Sequence, residues 1–169
     1  MPTELHAVQN YDASVDTVFA KFADRAFLDG RLHAAGGIDP EVTDLQVAGD
    51  GPDRTVRIST RQAIPASALP SMVSSLLPGD PLILRTENWR VQGHGYLADF
   101  DVVIKGAPAT LKGTMTLAPT ADATGSTVTV AGQASVPIPL FGGKIEGVIV
   151  EQVQTLLRAE AAYTRQQLG

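Results

Sequence analysis

Three residues that alternate along one short stretch, Arg85, Glu87 and Trp89, form the densest concentration of chemistry in the chain. Two-residue spacing puts them on one face of a strand. Turned inward, the two charges would make a buried pair beside an indole, able to orient the polar end of a ligand. Turned outward, they would be solvated while Leu82 and Leu84 point in. Long charged side chains are rarely buried, so the outward placement is the favoured expectation, with Trp89 a core anchor. Asp99 and Asp101 alternate in the next stretch, and paired carboxylates suit acid–base work. They stand opposite Tyr96, Phe100 and Val102, which makes a solvated pair the expectation.

The remaining reactive residue types are sparse. His6, His33 and His94 are scattered, with none of the spacing that places two imidazoles on one metal. His94 lies in a Gly-flanked turn. His33 falls on a short helix that either borders a pocket mouth or, as favoured, is plain surface. With no cysteine in the chain, disulfides, thiolate metal sites and cysteine nucleophiles are excluded, and no nucleophile-elbow motif recommends a serine. Gly142-Gly143-Lys144 precedes a helix, which invites a phosphate site, but it lacks the spacing of a Walker loop or a dinucleotide fingerprint. Glycines that permit a sharp strand-to-helix turn after Pro137-Ile138-Pro139 are the stronger reading. No catalytic residue, metal ligand or cofactor is assigned.

The elements that must position these residues follow from periodicity. Residues 3–11 read as a strand. Ser14 stands at an N-cap position with Asp16 in the first turn, and Val15, Val18, Phe19 and Phe22 follow at helical spacing. A second short helix is expected over about residues 24–35, stopping at Gly36-Gly37. Strands are expected over residues 42–48 and 55–62, the latter with Val56, Ile58 and Thr60 on one face. Leu69, Met72, Val73, Leu76 and Leu77 predict a helix within residues 66–77, with Pro70 in its first turn. Residues 81–91, 95–105 and 109–119 read as a meander, and one more strand carries Val128, Val130, Ala134 and Val136 on a shared face. Hairpin-length connections make the seven strands largely antiparallel. From Ile145 a long helix carries Ile145, Val148, Ile149, Val153, Leu156, Leu157 and Tyr163 on one stripe, which Gln152 and Glu160 complete. Glu146, Glu151, Gln154, Arg158 and Arg165 lie mostly off it.

A seven-stranded sheet with one apolar face must cover that face, and the long helix is the only element big enough. The expected fold class is α+β: a helix-grip arrangement with a curved antiparallel sheet wrapped around the C-terminal helix. Short helices after the first strand and in mid-chain plug its edges. At 169 residues the chain fits one domain, 1–169. A net charge of −5 argues against nucleic-acid or anionic-membrane partners. No apolar run approaches a membrane span, and residues 1–6 do not resemble a secretory signal, so the cytoplasm is the default compartment.

The stretches Ser14 through Asp24, Leu77-Pro78-Gly79-Asp80 leading into Arg85-Thr86-Glu87-Asn88-Trp89, and Val136 through Glu146 carry a resemblance. They are similar to an uncharacterised actinobacterial family, domain of unknown function 2505. That family lies within the START-like (SRPBCC) ligand-binding superfamily, which includes the birch-pollen allergen and lipid-transfer domains. The likeness covers essentially the whole chain, and Gly-Gly-Lys-Ile-Glu is its most specific part. It implies the helix-grip fold and an internal pocket but no reaction, because the superfamily spans carriers, cyclases, hydrolase-like enzymes and regulators.

Side-chain volume gives an independent argument for a pocket. Ala98, Gly113, Gly132 and Ala134 face the helix, and aromatic residues are only 5% of the chain. A curved sheet under a straight helix leaves a wedge that small residues do not fill, whereas interiors otherwise pack densely. The expected function is non-catalytic binding or transport of a small hydrophobic, lipid-like molecule. Its expected lining is Phe100, Val102, Met115, Leu117 and Val130 from the sheet, with Val148, Ile149, Gln152, Val153 and Leu156 from the helix. Gln152 and Tyr163 are candidates to meet a ligand's polar end. An enzyme on the same scaffold, a protein-interaction module and a homodimer are the alternatives.

Overall fold

The computed structural model describes residues 2–77 and 79–169, so Pro78 of the Leu77-Pro78-Gly79-Asp80 motif lies outside the described residues. Seven strands are present: Thr3–Tyr11 (β1), Ile38–Ala48 (β2), Thr55–Ala63 (β3), Leu82–Gln92 (β4), Gly95–Lys105 (β5), Ala109–Pro119 (β6) and Ser126–Ser135 (β7). They form one antiparallel sheet in the order β1-β7-β6-β5-β4-β3-β2. Helices Val15–Phe22 (α1) and Arg25–Ala34 (α2) follow β1, Ser71–Ser74 (α3) lies between β3 and β4, and Gly142–Leu168 (α4) closes the chain. At 27 residues α4 is about 40 Å long, enough to cross the sheet. It packs on β1 and β7 and meets α2. This is the helix-grip arrangement anticipated from the hydrophobic pattern.

Local chemistry explains most boundaries. Ser14 caps α1 by accepting from the Thr17 N–H at 3.2 Å, and Asp24 caps α2 by accepting from the Ala26 N–H at 3.0 Å. Strand β2 starts four residues earlier than the pattern predicts, at Ile38 rather than Val42. Its first residues pair through bulges, with Asp39 at φ +49°. Pro40 is accommodated because β2 is an edge strand, where a missing N–H breaks no ladder. The helix expected within residues 66–77 shrinks to four residues plus a turn at Ala66–Ala68. Leu69, which precedes Pro70, is held extended at φ −101°, ψ 152°, and no helix passes through it.

The long helix begins at Gly142, three residues before its apolar stripe. The hinge reading of the two glycines is therefore corrected: they form the first turn, and the reversal lies at Leu140, φ +72°. The glycine at 142 is required by close approach, since a Cβ there would overlap the Val136 carbonyl oxygen. Glu146, placed mostly off the buried stripe by periodicity, is only 3% exposed. Its carboxylate accepts from the Val136 N–H at 2.9 Å and from the Thr3 hydroxyl at 3.0 Å, fastening the start of α4 to the ends of β7 and β1. The specific Gly-Gly-Lys-Ile-Glu stretch is thus a docking device for the helix.

Two substitutions separate close approach from helix propensity. Alanine is favoured over glycine by about 1 kcal/mol inside a helix, so Gly143→Ala, where a Cβ meets open space, is expected to raise stability slightly. Gly142→Ala is expected to lower it by roughly 1–3 kcal/mol through the clash. Urea denaturation of both variants checks this; a stabilised Gly142→Ala would contradict the docking.

Candidate functional site

One end of the sheet–helix interface is solid. The Phe19 ring stacks on Tyr96 with 3.6 Å between centroids, and Trp89 stands edge-on to Phe19 at 6.1 Å. Ala98 lies directly between Trp89 and Met115 across the sheet, leaving room for the indole. Gly132 is likewise occupied from above: a Cβ there would come within 2.8 Å of the Phe100 ring. Two of the small residues that suggested a void, Ala98 and Gly132, therefore mark places where large side chains fit, while a Cβ on Gly113 would overlap the Ala131 carbonyl oxygen of the neighbouring strand. Ala98, Gly113, Gly132 and Ala134 do not border the cavity, which corrects where the empty volume lies.

The void is at the other end. A cavity of about 260 Å³ is enclosed by α4, the inner faces of β4 to β7, the end of β3 and the proline-interrupted segment containing α3. Proline geometry shapes this roof, since Pro65 borders the cavity, Pro70 restricts Leu69, and Leu69, Val73 and Leu77 project into the wall. Of the residues expected from sequence, Phe100, Val102, Met115 and Val130 line it from the sheet. Val148, Ile149, Gln152, Val153 and Leu156 line it from α4. Leu117 does not: it is 1% exposed and pairs with Tyr96 at the solid end. Tyr163 is also elsewhere, packed 5.6 Å from the Phe27 ring and against Gly30 of α2. The exposed lining residues are Gly36, Gly37 and Thr155, so the cavity reaches the surface beside the loop after α2.

Charge reaches this apolar wall at Arg85. The expectation that Arg85 and Glu87 face solvent is overturned: their side chains are 12% and 2% exposed. The reason is strand parity. Val56, Ile58 and Thr60 face the core and stand directly opposite Trp89, Glu87 and Arg85, and directly opposed residues share a face. Ile83, not Leu82 or Leu84, is the apolar residue of that row. A core Trp89 and an outward Arg85 were incompatible readings of a strand with no bulge.

Around Arg85 a four-charge cluster forms. Its Nη1 donates to Glu160 Oε2 at 2.8 Å, and its Nη2 lies 2.7 Å from Glu87 Oε2, off the hydrogen-bond axis. Arg31 of α2 stands 3.9 Å from both carboxylates. The Arg31 guanidinium lies 5.4 Å from the Phe22 ring centroid, a cation–π distance. The Trp89 indole N–H donates to Glu87 Oε1 at 3.0 Å. Burial opposes both ionised partners, but it is outweighed. The Glu160 and Glu87 charges raise the Arg85 pKa, while Arg85, Arg31 and the indole N–H hold the Glu87 carboxyl below its ordinary value of 4.5. Sequence reading missed Arg31 and underused Glu160. The signal was present in both: Arg31 follows Phe27 and Leu28 on the buried face of α2, and Glu160 interrupts an apolar stripe.

Asp99 and Asp101 are exposed as expected, with Asp99 paired to Arg90 at 2.8 Å on the outer face. His6, His33 and His94 are exposed, and no group of three or more His, Cys, Asp or Glu residues among the described residues could hold a metal ion. Among the described residues no helix is long and apolar enough to cross a membrane.

The cluster gives a defined acid response. Because the folded Glu87 carboxyl has the lower pKa, the unfolded chain binds more protons as pH falls below about 4.5. The stabilisation is complete above that pH and is lost as pH falls through the folded value. Glu87→Gln is expected to cost about 3 kcal/mol at neutral pH, by leaving Arg85 partly uncompensated, and to flatten the acid decline. Denaturant midpoints measured stepwise to pH about 3 check both effects; parallel pH profiles would contradict the assignment.

Comparison with known proteins agrees with the geometry. Residues 6–168 match the family model described as "Protein of unknown function (DUF2505)". An uncharacterised protein of Mycobacterium tuberculosis, Rv0481c, is 31% identical over 166 residues, covering 97% of this chain and 95% of the relative. Among solved structures, TTHA0849 from Thermus thermophilus superposes with a TM-score of 0.60 at 19% identity, covering 99% of this chain and all of that one. The Zhui aromatase/cyclase from a Streptomyces species gives 0.58 at 9% identity, covering 100% and 97%. A START superfamily protein from Mycobacterium smegmatis gives 0.57 at 11% identity, covering 98% and 99%. With the helix-grip core, the cavity and a family match spanning nearly its whole length in view, the chain belongs to the DUF2505 family and has a START-like fold.

Proposed function

We propose that this protein binds a small, largely apolar molecule in the cavity between α4 and the sheet, without transforming it. The observation that carries the reading is the cavity itself: about 260 Å³, walled mainly by aliphatic side chains and open beside Gly36 and Gly37. Interiors pack densely enough that a void of this size in a small domain calls for an occupant. Its volume lies between an apolar cavity of about 150 Å³ that accepts benzene and the lower bound of about 300 Å³ for drug-sized pockets. The ligand is therefore a molecule of one or two rings, or a short acyl chain, rather than a two-chain lipid.

Catalysis is the second reading, because Arg85 stands in the wall and the fold is shared with an aromatase/cyclase. A general acid or base works best with a pKa near the operating pH. The cluster moves the other way, raising Arg85 and lowering Glu87. Those directions suit a fixed, fully ionised support for a binding wall, and binding is the function they favour.

Val153 lines the cavity from α4, so Val153→Trp is expected to fill it. Naphthalene uptake, followed by the probe's own fluorescence, should weaken at least about tenfold, while far-UV circular dichroism stays unchanged. A folded variant that takes up naphthalene as the parent does would contradict the site.

A further inference from the structure

Gln62 is a buried polar side chain that faces the cavity and has no side-chain hydrogen-bond partner among the described residues. It sits near the end of β3, is 5% exposed, and borders the cavity. Its carboxamide makes no side-chain hydrogen bond with the described residues, and its Nε2 lies 3.5 Å from where a Cβ would stand on Gly37, at the cavity mouth. An amide carries two N–H donors and a carbonyl acceptor, and buried polar groups in native interiors almost always have partners. Of the other polar side chains in the lining, Thr110 and Gln152 are half-buried and make no side-chain hydrogen bond with the described residues, and two are engaged. Arg85 is held by Glu160 and Glu87, and the Thr155 hydroxyl donates to the Glu151 carbonyl. Gln62 pairs across the sheet with Ile83, and Arg85 lies two residues further along β4 on the same face. The Gln62 amide therefore stands beside the charged cluster on one wall. Gln152 of α4 borders the same space.

Resting on the binding function above, we propose that Gln62 anchors the ligand's polar end, and that this end is a neutral hydroxyl on an otherwise apolar, ring-sized molecule. A hydroxyl both donates and accepts, matching the two halves of the free amide. A carboxylate is disfavoured because Arg31, Arg85, Glu87 and Glu160 already sum to zero charge, both Arg85 terminal nitrogens are engaged, and an added anion would be buried without a counter-ion. Gln152 provides a second amide from the helix side.

Equilibrium binding of naphthalene, 2-naphthol and 2-naphthoate at neutral pH, to the parent chain and to Gln62→Leu, tests this. The parent should bind 2-naphthol about tenfold more tightly than naphthalene, with 2-naphthoate weakest. Gln62→Leu should bind the two neutral probes equally. If Gln62→Leu does not fold, Gln62→Met, of matching length, carries the same expectation. Equal binding of the neutral probes by the parent overturns the polar subsite, as does a preference that survives loss of the amide. A preference for 2-naphthoate overturns the neutral head. Failure of all three to bind overturns the binding function itself, an outcome distinct from naphthalene binding with no preference among heads.

Discussion

The interior holds two guanidinium and two carboxylate groups where β4, α2 and α4 meet, and much of the architecture follows from that placement. Arg85 and Glu87 come from the sheet, Arg31 from the short helix and Glu160 from the long one. Removing such charges from water is costly, and their mutual attraction offsets that cost only when the geometry is good. Each group therefore holds the others to one relative position of sheet and helices. Trp89 extends the constraint into the solid end through its bond to Glu87, and Arg31 extends it to the rings of Phe22 and Phe27. Arg85 also forms part of the cavity wall, so the cluster that aligns the helices sets the edge of the empty volume.

The fold divides into a packed half and a hollow half for identifiable reasons. Phe19, Trp89 and Tyr96 fill the space under the C-terminal part of β4 and the start of β5. At the opposite end the roof is a proline-interrupted segment whose only α-helix is the four-residue α3. The start of α4 is fixed independently, by Gly142 against Val136 and by Glu146 reaching β7 and β1. A helix anchored at its start and at Glu160, over a sheet filled from one side only, leaves an apolar space that opens beside Gly36 and Gly37.

Strand count, antiparallel order, the α1 cap and the stripe of α4 were legible in the sequence because each depends on local periodicity or capping. Nine of the ten residues named for the cavity border it, since the inward faces of β5, β6 and α4 were read correctly. The cavity does not lie over the small residues that suggested it: Ala98 and Gly132 make room for Trp89 and Phe100, a pairing that only register reveals. The inward turn of Arg85 and Glu87 was hidden by general burial statistics, although the parity of Trp89 and of the facing strand required it. Arg31 and Glu146 find their partners far away in the chain, and no local pattern announces such contacts.

The central claim is that the hollow end, and not the protein at large, accommodates a small apolar guest. Methyl-resolved NMR during titration with 2-naphthol measures this directly. The account predicts saturable shifts confined to Val102, Met115, Val130 and Val153, with Val18, Val56 and Val128 of the packed end unchanged. Methyl signals that do not move, or movement spread over the packed end and the exposed Leu140, would contradict it.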